Sequence, residues 1–194
     1  MSIGTGRMRG VKIVCAVALC GMSAGALLGL GGCASQRMTA AEATAVPLGG
    51  WDELPNASKA GNVTFGGQPS EQAIRQFGAE GGTKVIDLRT HAGRDTAGFD
   101  EHGAVATEGM EYVHVPMSSS TFSAGDVDRF AAALRSAKGP VLVHCGSSNR
   151  VGGMWAAYLA REKGWDVEAA MEAGRAAGMS SESVEAAARR VIEE

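Results

Sequence analysis

From residue 61 onward, short apolar runs alternate with longer stretches in which apolar residues recur every three or four positions. Four of the runs have strand length: Val63 to Gly67, Lys84 to Arg89 (KVIDLR), Glu111 to Pro116 (EYVHVP) and Pro140 to His144 (PVLVH). Ser70, following Gln68 and Pro69, can cap a helix running to about Ala79 with Ala73, Ile74 and Phe77 inward. Ser123, with Asp126 at the capping-box position, opens another in which Val127, Phe130 and Leu134 share a face. Gly152 to Lys163, Asp166 to Ala177 and Ser181 to Glu193 read as three further helices. Strands separated by helices predict an α/β fold of three layers, a largely parallel sheet of four to five strands flanked by helices. In such sheets ligands bind where strands end and helices begin. Cys145 stands at that junction after the fourth strand.

Before residue 61 the character of the chain changes. Arg7, Arg9 and Lys12 form a basic start, and no charge follows from Ile13 to Leu30, as in an export signal. Leu30-Gly31-Gly32-Cys33 resembles the lipobox of bacterial lipoproteins, which implies that Cys33 is acylated and becomes the new N-terminus. An uncleaved anchor is the alternative, since an apolar stretch of about 18 residues can span a bilayer. Either reading tethers the domain to a membrane, facing the periplasm or the cell exterior. Ala34 to Ala60 is rich in Ala, Thr, Ser, Pro and Gly, with Trp51 and Leu54 among its few bulky apolar residues, and reads as a linker. The expected organisation is a signal over 1–32, a lipidated N-terminus and linker over 33–60, and one domain over 61–194.

Composition narrows the function classes. With 194 residues, 45% of them hydrophobic, the chain has material for one ordinary core. The formal net charge is −3 and becomes more acidic once the basic leader is removed, which gives no reason to expect nucleic acid. Of the 4 cysteines, Cys15 and Cys20 leave with the leader and Cys33 takes lipid. Cys145 then has no intramolecular partner. An isolated cysteine at a strand end would ordinarily be a small buried hydrophobe.

The surroundings of Cys145 suggest more. A loop running from a strand into a helix aims successive backbone N–H groups at one spot, and the helix N-terminus adds partial positive charge, so the site favours an oxyanion. Arg150 supplies a planar, permanently charged fork suited to phosphate or sulfate. The same field stabilises a thiolate.

The stretch HCGSSNRVG resembles the active loop of the cysteine-dependent phosphatases, and more closely the beta-lactamase-hydrolase-like branch of the dual-specificity and tyrosine phosphatase superfamily. FGGQPS, KVIDLR, GMEYVHVPM, PVLVHC and EAGRAAGM extend the likeness over roughly Asn62 to Gly178. The resemblance implies a phosphatase fold in which Cys145 is the nucleophile and Arg150 clamps the oxyanion. It further implies that the amides of Gly146, Ser147, Ser148, Asn149, Arg150 and Val151 cradle the substrate, while His144 braces the loop.

Three departures stand against it. Four residues separate Cys145 from Arg150, where the usual phosphatase loop has five; four is the spacing of rhodanese-like sulfurtransferases. Ser148 occupies a place where the branch has glycine, so a positive φ there would strain it. The loop that should carry a general acid reads Met117-Ser118-Ser119-Ser120-Thr121 and holds no carboxylate. Asp126 and Asp128 are the nearest substitutes, although complementing a helix start suits them better.

Arg89 could reach an anionic substrate, or form a buried pair with Asp87. The stretch His91 to His102 reads as a solvated loop, with a substrate-recognition element as the alternative, and Trp155 and Tyr158 read as core. His91, His102, His114 and His144 share no metal-ligand spacing and no nucleotide motif is present, so neither metal nor cofactor is expected. Three functions fit: hydrolysis of a phosphomonoester through a phosphocysteine, transfer of sulfane sulfur through a persulfide on the same cysteine, or anion binding without turnover. The expected partner is a phosphorylated or sulfur-bearing substrate.

Overall fold

The computed structural model describes residues 38–94 and 98–194. The segment read as a signal, and Cys33 with it, lies outside the described residues. In chain order the elements are α1 (Ala40–Ala43), β1 (Val46–Pro47), β2 (Ser58–Ala60), β3 (Val63–Gly66), α2 (Glu71–Ala79), β4 (Lys84–Asp87), α3 (His91–Arg94), α4 (Glu101–Thr107), β5 (Glu111–His114), α5 (Ala124–Arg135), β6 (Val141–His144), α6 (Asn149–Lys163), α7 (Val167–Ala176) and α8 (Glu182–Glu193).

The strands form one sheet in the order β1-β2-β3-β6-β4-β5. β3, β6, β4 and β5 run parallel, as the four apolar runs predict, whereas β1 and β2 add an antiparallel edge. The sheet therefore has six strands and not four to five. The expected linker is also corrected: from Ala40 onward it is folded, with β2 paired to β3 and Trp51 and Leu54 buried. Trp51 and Leu54, with buried Ala43, Ala45 and Ala60, seat a segment whose composition otherwise reads as spacer.

Side-chain alternation sorts the parallel strands into two cores. Val85 and Leu142 face a cluster with Ala73, Ile74 and Phe77 of α2, Val105 of α4, and Trp51 and Leu54. Ile86, Val141 and Val143 face the larger cluster built on α5 to α8. Helices on both faces complete the three layers and explain why the inner strands are buried throughout. α6 runs through the larger core, with Val151 to Leu159 all buried. Trp155 and Tyr158 lie within it as expected. Gly152 lets α7 come close, since a Cβ there would stand 2.2 Å from the Gly174 carbonyl oxygen. Among the described residues no helix is long and apolar enough to cross a membrane.

Candidate active site

β4 and β6 end side by side, Asp87 paired in register with His144. Both side chains are fully buried, as are Arg89 and Glu101. Arg89 is the link: its Nε donates to Asp87 Oδ1 at 2.9 Å and its Nη2 to Asp87 Oδ2 at 2.8 Å, and it also contacts the Glu101 carboxylate and the Gln68 side-chain oxygen. Tyr112 donates to Asp87 Oδ2 at 2.6 Å. Burial by itself would push the Asp87 carboxyl up, but the Arg89 hydrogen bonds, the adjacent His144 and the Tyr112 hydroxyl outweigh it and hold it down at about 2. Burial and the Asp87 carboxylate push the Tyr112 phenol up.

His144 Nε2 is 2.6 Å from Glu101 Oε1 and 3.9 Å from Asp87 Oδ1, without the alignment of a hydrogen bond. Asp87, Glu101 and His144 offer donor atoms within 4.8 Å of one another, the described group best placed to share a cation. Arg89 already pairs with both carboxylates there. Arg89 is thus a buried strut, the paired one of the two roles expected for it. Glu101 was missed: it follows Asp100, which caps α4, and an acidic pair at a helix start reads as solvated.

Cys145 is the first residue past β6 and is fully buried within the larger core. Burial is also what a small core hydrophobe would show; the loop that follows separates the two readings. Gly146 and Ser147 are exposed. Gly67 and Ser147 form an antiparallel bridge that turns the Ser148 amide to the Gly66 carbonyl, whereas among the described residues no protein group accepts a hydrogen bond from the amides of Gly146, Ser147, Asn149, Arg150 or Val151. Arg150, half-buried, makes no hydrogen bond or ion pair with the described residues, and its Nη2 lies 3.4 Å from where a Cβ would stand on Gly146. A run of unpaired donors beside an unpaired guanidinium, at the start of a long helix, is an anion-binding arrangement.

Ser148 has φ 68°, the left-handed conformation in which a serine is strained. Its buried hydroxyl donates to the Ala177 carbonyl at 2.9 Å, which offsets that strain. Asn149 points away from the loop: its Oδ1 accepts from the amides of Ser180 and Ser181, and its Nδ2 donates to Ser181 Oγ. Its side chain anchors the loop to α8, so only its amide is left for a ligand.

The loop over residues 117–121, where a general acid was expected, presents hydroxyls. Ser118 Oγ lies within hydrogen-bonding distance of Ser120 Oγ and Thr121 Oγ1, and no carboxylate stands between residues 117 and 121. Asp126 takes the helix-start role: its Oδ2 accepts from the backbone N–H and hydroxyl of Ser123, closing the capping box of α5, and Arg129 takes its other oxygen. Asp128 is exposed on the same helix.

The family model described as "Beta-lactamase hydrolase-like protein, phosphatase-like domain" matches residues 62–162. The Beta-lactamase hydrolase-like protein of Agrobacterium fabrum (strain C58) is 28% identical over 90 residues, which is 45% of this chain and 21% of that protein. The chain thus corresponds to about a fifth of that relative's length. Among solved structures, Pseudomonas aeruginosa TpbA in complex with pTyr superposes with a TM-score of 0.59 at 21% identity, covering 79% of this chain and 91% of that one. PTPMT1 in complex with PI(5)P gives 0.56 at 18% identity, covering 68% and 90%.

Proposed function

This chain belongs to the beta-lactamase hydrolase-like phosphatase-domain family, and on that premise we propose that it hydrolyses a phosphomonoester through a phosphocysteine on Cys145. The observation that carries the reading is the set of unpaired amides at Gly146, Ser147, Asn149, Arg150 and Val151 with the free Arg150 guanidinium beside them. A dianionic phosphoryl group suits those donors. The Cys145 thiolate attacks phosphorus, the P–O ester bond breaks, and the leaving oxygen takes a proton. Water then attacks the phosphocysteine, the S–P bond breaks, and inorganic phosphate leaves. Donors fixed in advance around the three equatorial oxygens stabilise the transition state more than the ground state.

With no carboxylate between residues 117 and 121, solvent must protonate the leaving oxygen, which forgoes an acceleration of about 10²–10⁴. Aryl phosphates, whose leaving oxygens need that proton least, are therefore the preferred class. The pTyr bound by TpbA is an aryl phosphate, which supports this choice. Persulfide transfer through Cys145 is a second reading, favoured by the four-residue spacing and by the missing acid, which sulfur transfer does not need. Lipid on Cys33 would hold the domain at a membrane surface, and incorporation of labelled fatty acid lost in Cys33→Ser tests that anchor.

The deciding experiment measures release of para-nitrophenol from its phosphate, and sulfur transfer from thiosulfate, on the same preparation of the full chain. Hydrolysis abolished by Cys145→Ser and reduced about 10²–10³-fold by Arg150→Lys is expected. A sulfur-sized mass gain on Cys145 with no aryl phosphate turnover would replace the reading with its rival. Phosphate binding without either reaction would leave an anion-binding protein.

A further inference from the structure

Of the 5 phenylalanines, four belong to the two cores: Phe65, Phe122 and Phe130 to the larger and Phe77 to the smaller. Phe99 belongs to neither and is only half-buried. A large ring kept out of the core is informative, because folding gains from burying one. Phe99 lies in the stretch His91 to His102, and nothing in the phosphatase reading assigns the ring a part.

Its position relative to Cys145 is set from two sides. On one, Phe99 precedes Asp100, the cap of α4, and Glu101, whose Oε1 is 2.6 Å from His144 Nε2. On the other, it shares an open cleft of about 390 Å³ with Pro55, Gln68 and Pro69. The Gln68 amide donates to the Gly146 carbonyl at 3.1 Å, and Gln68 Nε2 donates to Glu101 Oε2 at 3.4 Å. Asn56, in the left-handed conformation at φ 55°, follows Pro55 and donates from Nδ2 to the Ser147 carbonyl at 3.1 Å. The residues around Phe99 therefore reach His144, Gly146 and Ser147, which stand on either side of Cys145. The Arg150 guanidinium comes to the same place, beside Gly146.

The rest of the cleft decides what could lie against the ring. Asp52, Glu53 and Glu71 line it, and neither lysine nor arginine does. A second anionic group is disfavoured there by like charge. A neutral ring is not, and an aromatic face receives another ring by offset or edge-on packing. We infer that Phe99 is a specificity-determining residue: it receives the aryl group of a substrate whose phosphoryl group sits on the Cys145 loop. The inference rests on the anion-binding reading of that loop, and it names the surface that selects among phosphomonoesters.

The test compares phenylphosphonate with methylphosphonate, which carry the same anionic head and are not turned over, by calorimetry on the full chain. The parent should bind phenylphosphonate about tenfold more tightly. Phe99→Ala should erase that preference and leave methylphosphonate affinity unchanged, whereas Phe99→Tyr should retain it. The thermal midpoint of Phe99→Ala should stay within about 2 °C of the parent, since the ring lies outside both cores. Equal affinities in the parent, or a preference that survives in Phe99→Ala, would overturn the inference and leave the proposed hydrolysis standing. An equal fall for both probes in Phe99→Ala would assign the ring to the shape of the loop and overturn it as well. A parent chain that binds neither phosphonate would overturn the anion-binding reading, and the inference with it.

Discussion

The Cys145 loop is supported on two sides by different means. Toward the sheet, where β4 and β6 end, Asp87, Arg89, Glu101 and His144 are buried together, and charge holds charge in the absence of water. Toward residues 53–56 the contacts are neutral, mostly main-chain, and in part exposed. Removing one member of the buried set leaves an uncompensated charge, so that side governs whether the domain stays folded. Removing an outer contact leaves a group that water can satisfy, so that side governs the loop's shape. Stability and function should separate along this line.

The strongest challenge to that division is Glu101→Ala. It deprives Arg89 and His144 of a buried partner and should cost about 3–5 kcal/mol in chemical denaturation. A loss below about 1 kcal/mol would show that the buried side is no more demanding than the outer one.

Next in size is a pH effect. Asp87 has a folded-state pKa of about 2 against an ordinary 3.8, so its contribution of about 2 kcal/mol is complete above pH ~4 and disappears as pH falls through 2. Denaturation at pH 5 and pH 2.5 should show this extra acid sensitivity in the parent, and its absence in Asp87→Asn would assign it to this carboxyl.

Ser148 sharpens the comparison because it combines strain with a buried hydrogen bond. Ser148→Ala keeps the positive φ and orphans the Ala177 carbonyl, for a loss of about 1–2 kcal/mol. Ser148→Gly also loses the bond but removes the strain, and its thermal midpoint should lie above that of the alanine variant. As a control, Glu71→Ala breaks an exposed pair with Arg75 and should change stability by less than about 0.5 kcal/mol.

The parallel half of the sheet was legible because its strands are apolar runs bounded by turn residues, and the helices because Ser70 and Ser123 cap where caps were expected. The β1–β2 edge was not. β1 is Val46–Pro47 and β2 is Ser58–Ala60, too short for any alternation to stand out, and β2 exists only because β3 is there to pair with. Within the site, Cys145, Arg150 and the loop could be read from their order in the chain. Glu101 and Asn56 could not. Both act across long sequence separations, through burial in one case and backbone conformation in the other, and neither leaves a local pattern.

Trp155 carries a consequence of its own. Its indole Nε1 donates to the Ala43 carbonyl at 2.9 Å, and the ring stacks on Tyr158 in the larger core. The stretch around Ala43, which leads into residues 53–56, thereby covers this fluorophore. Lifting that stretch would wet the indole and shift its emission to longer wavelength while the parallel strands stay paired, which supplies an intrinsic optical gauge of whether the brace is seated.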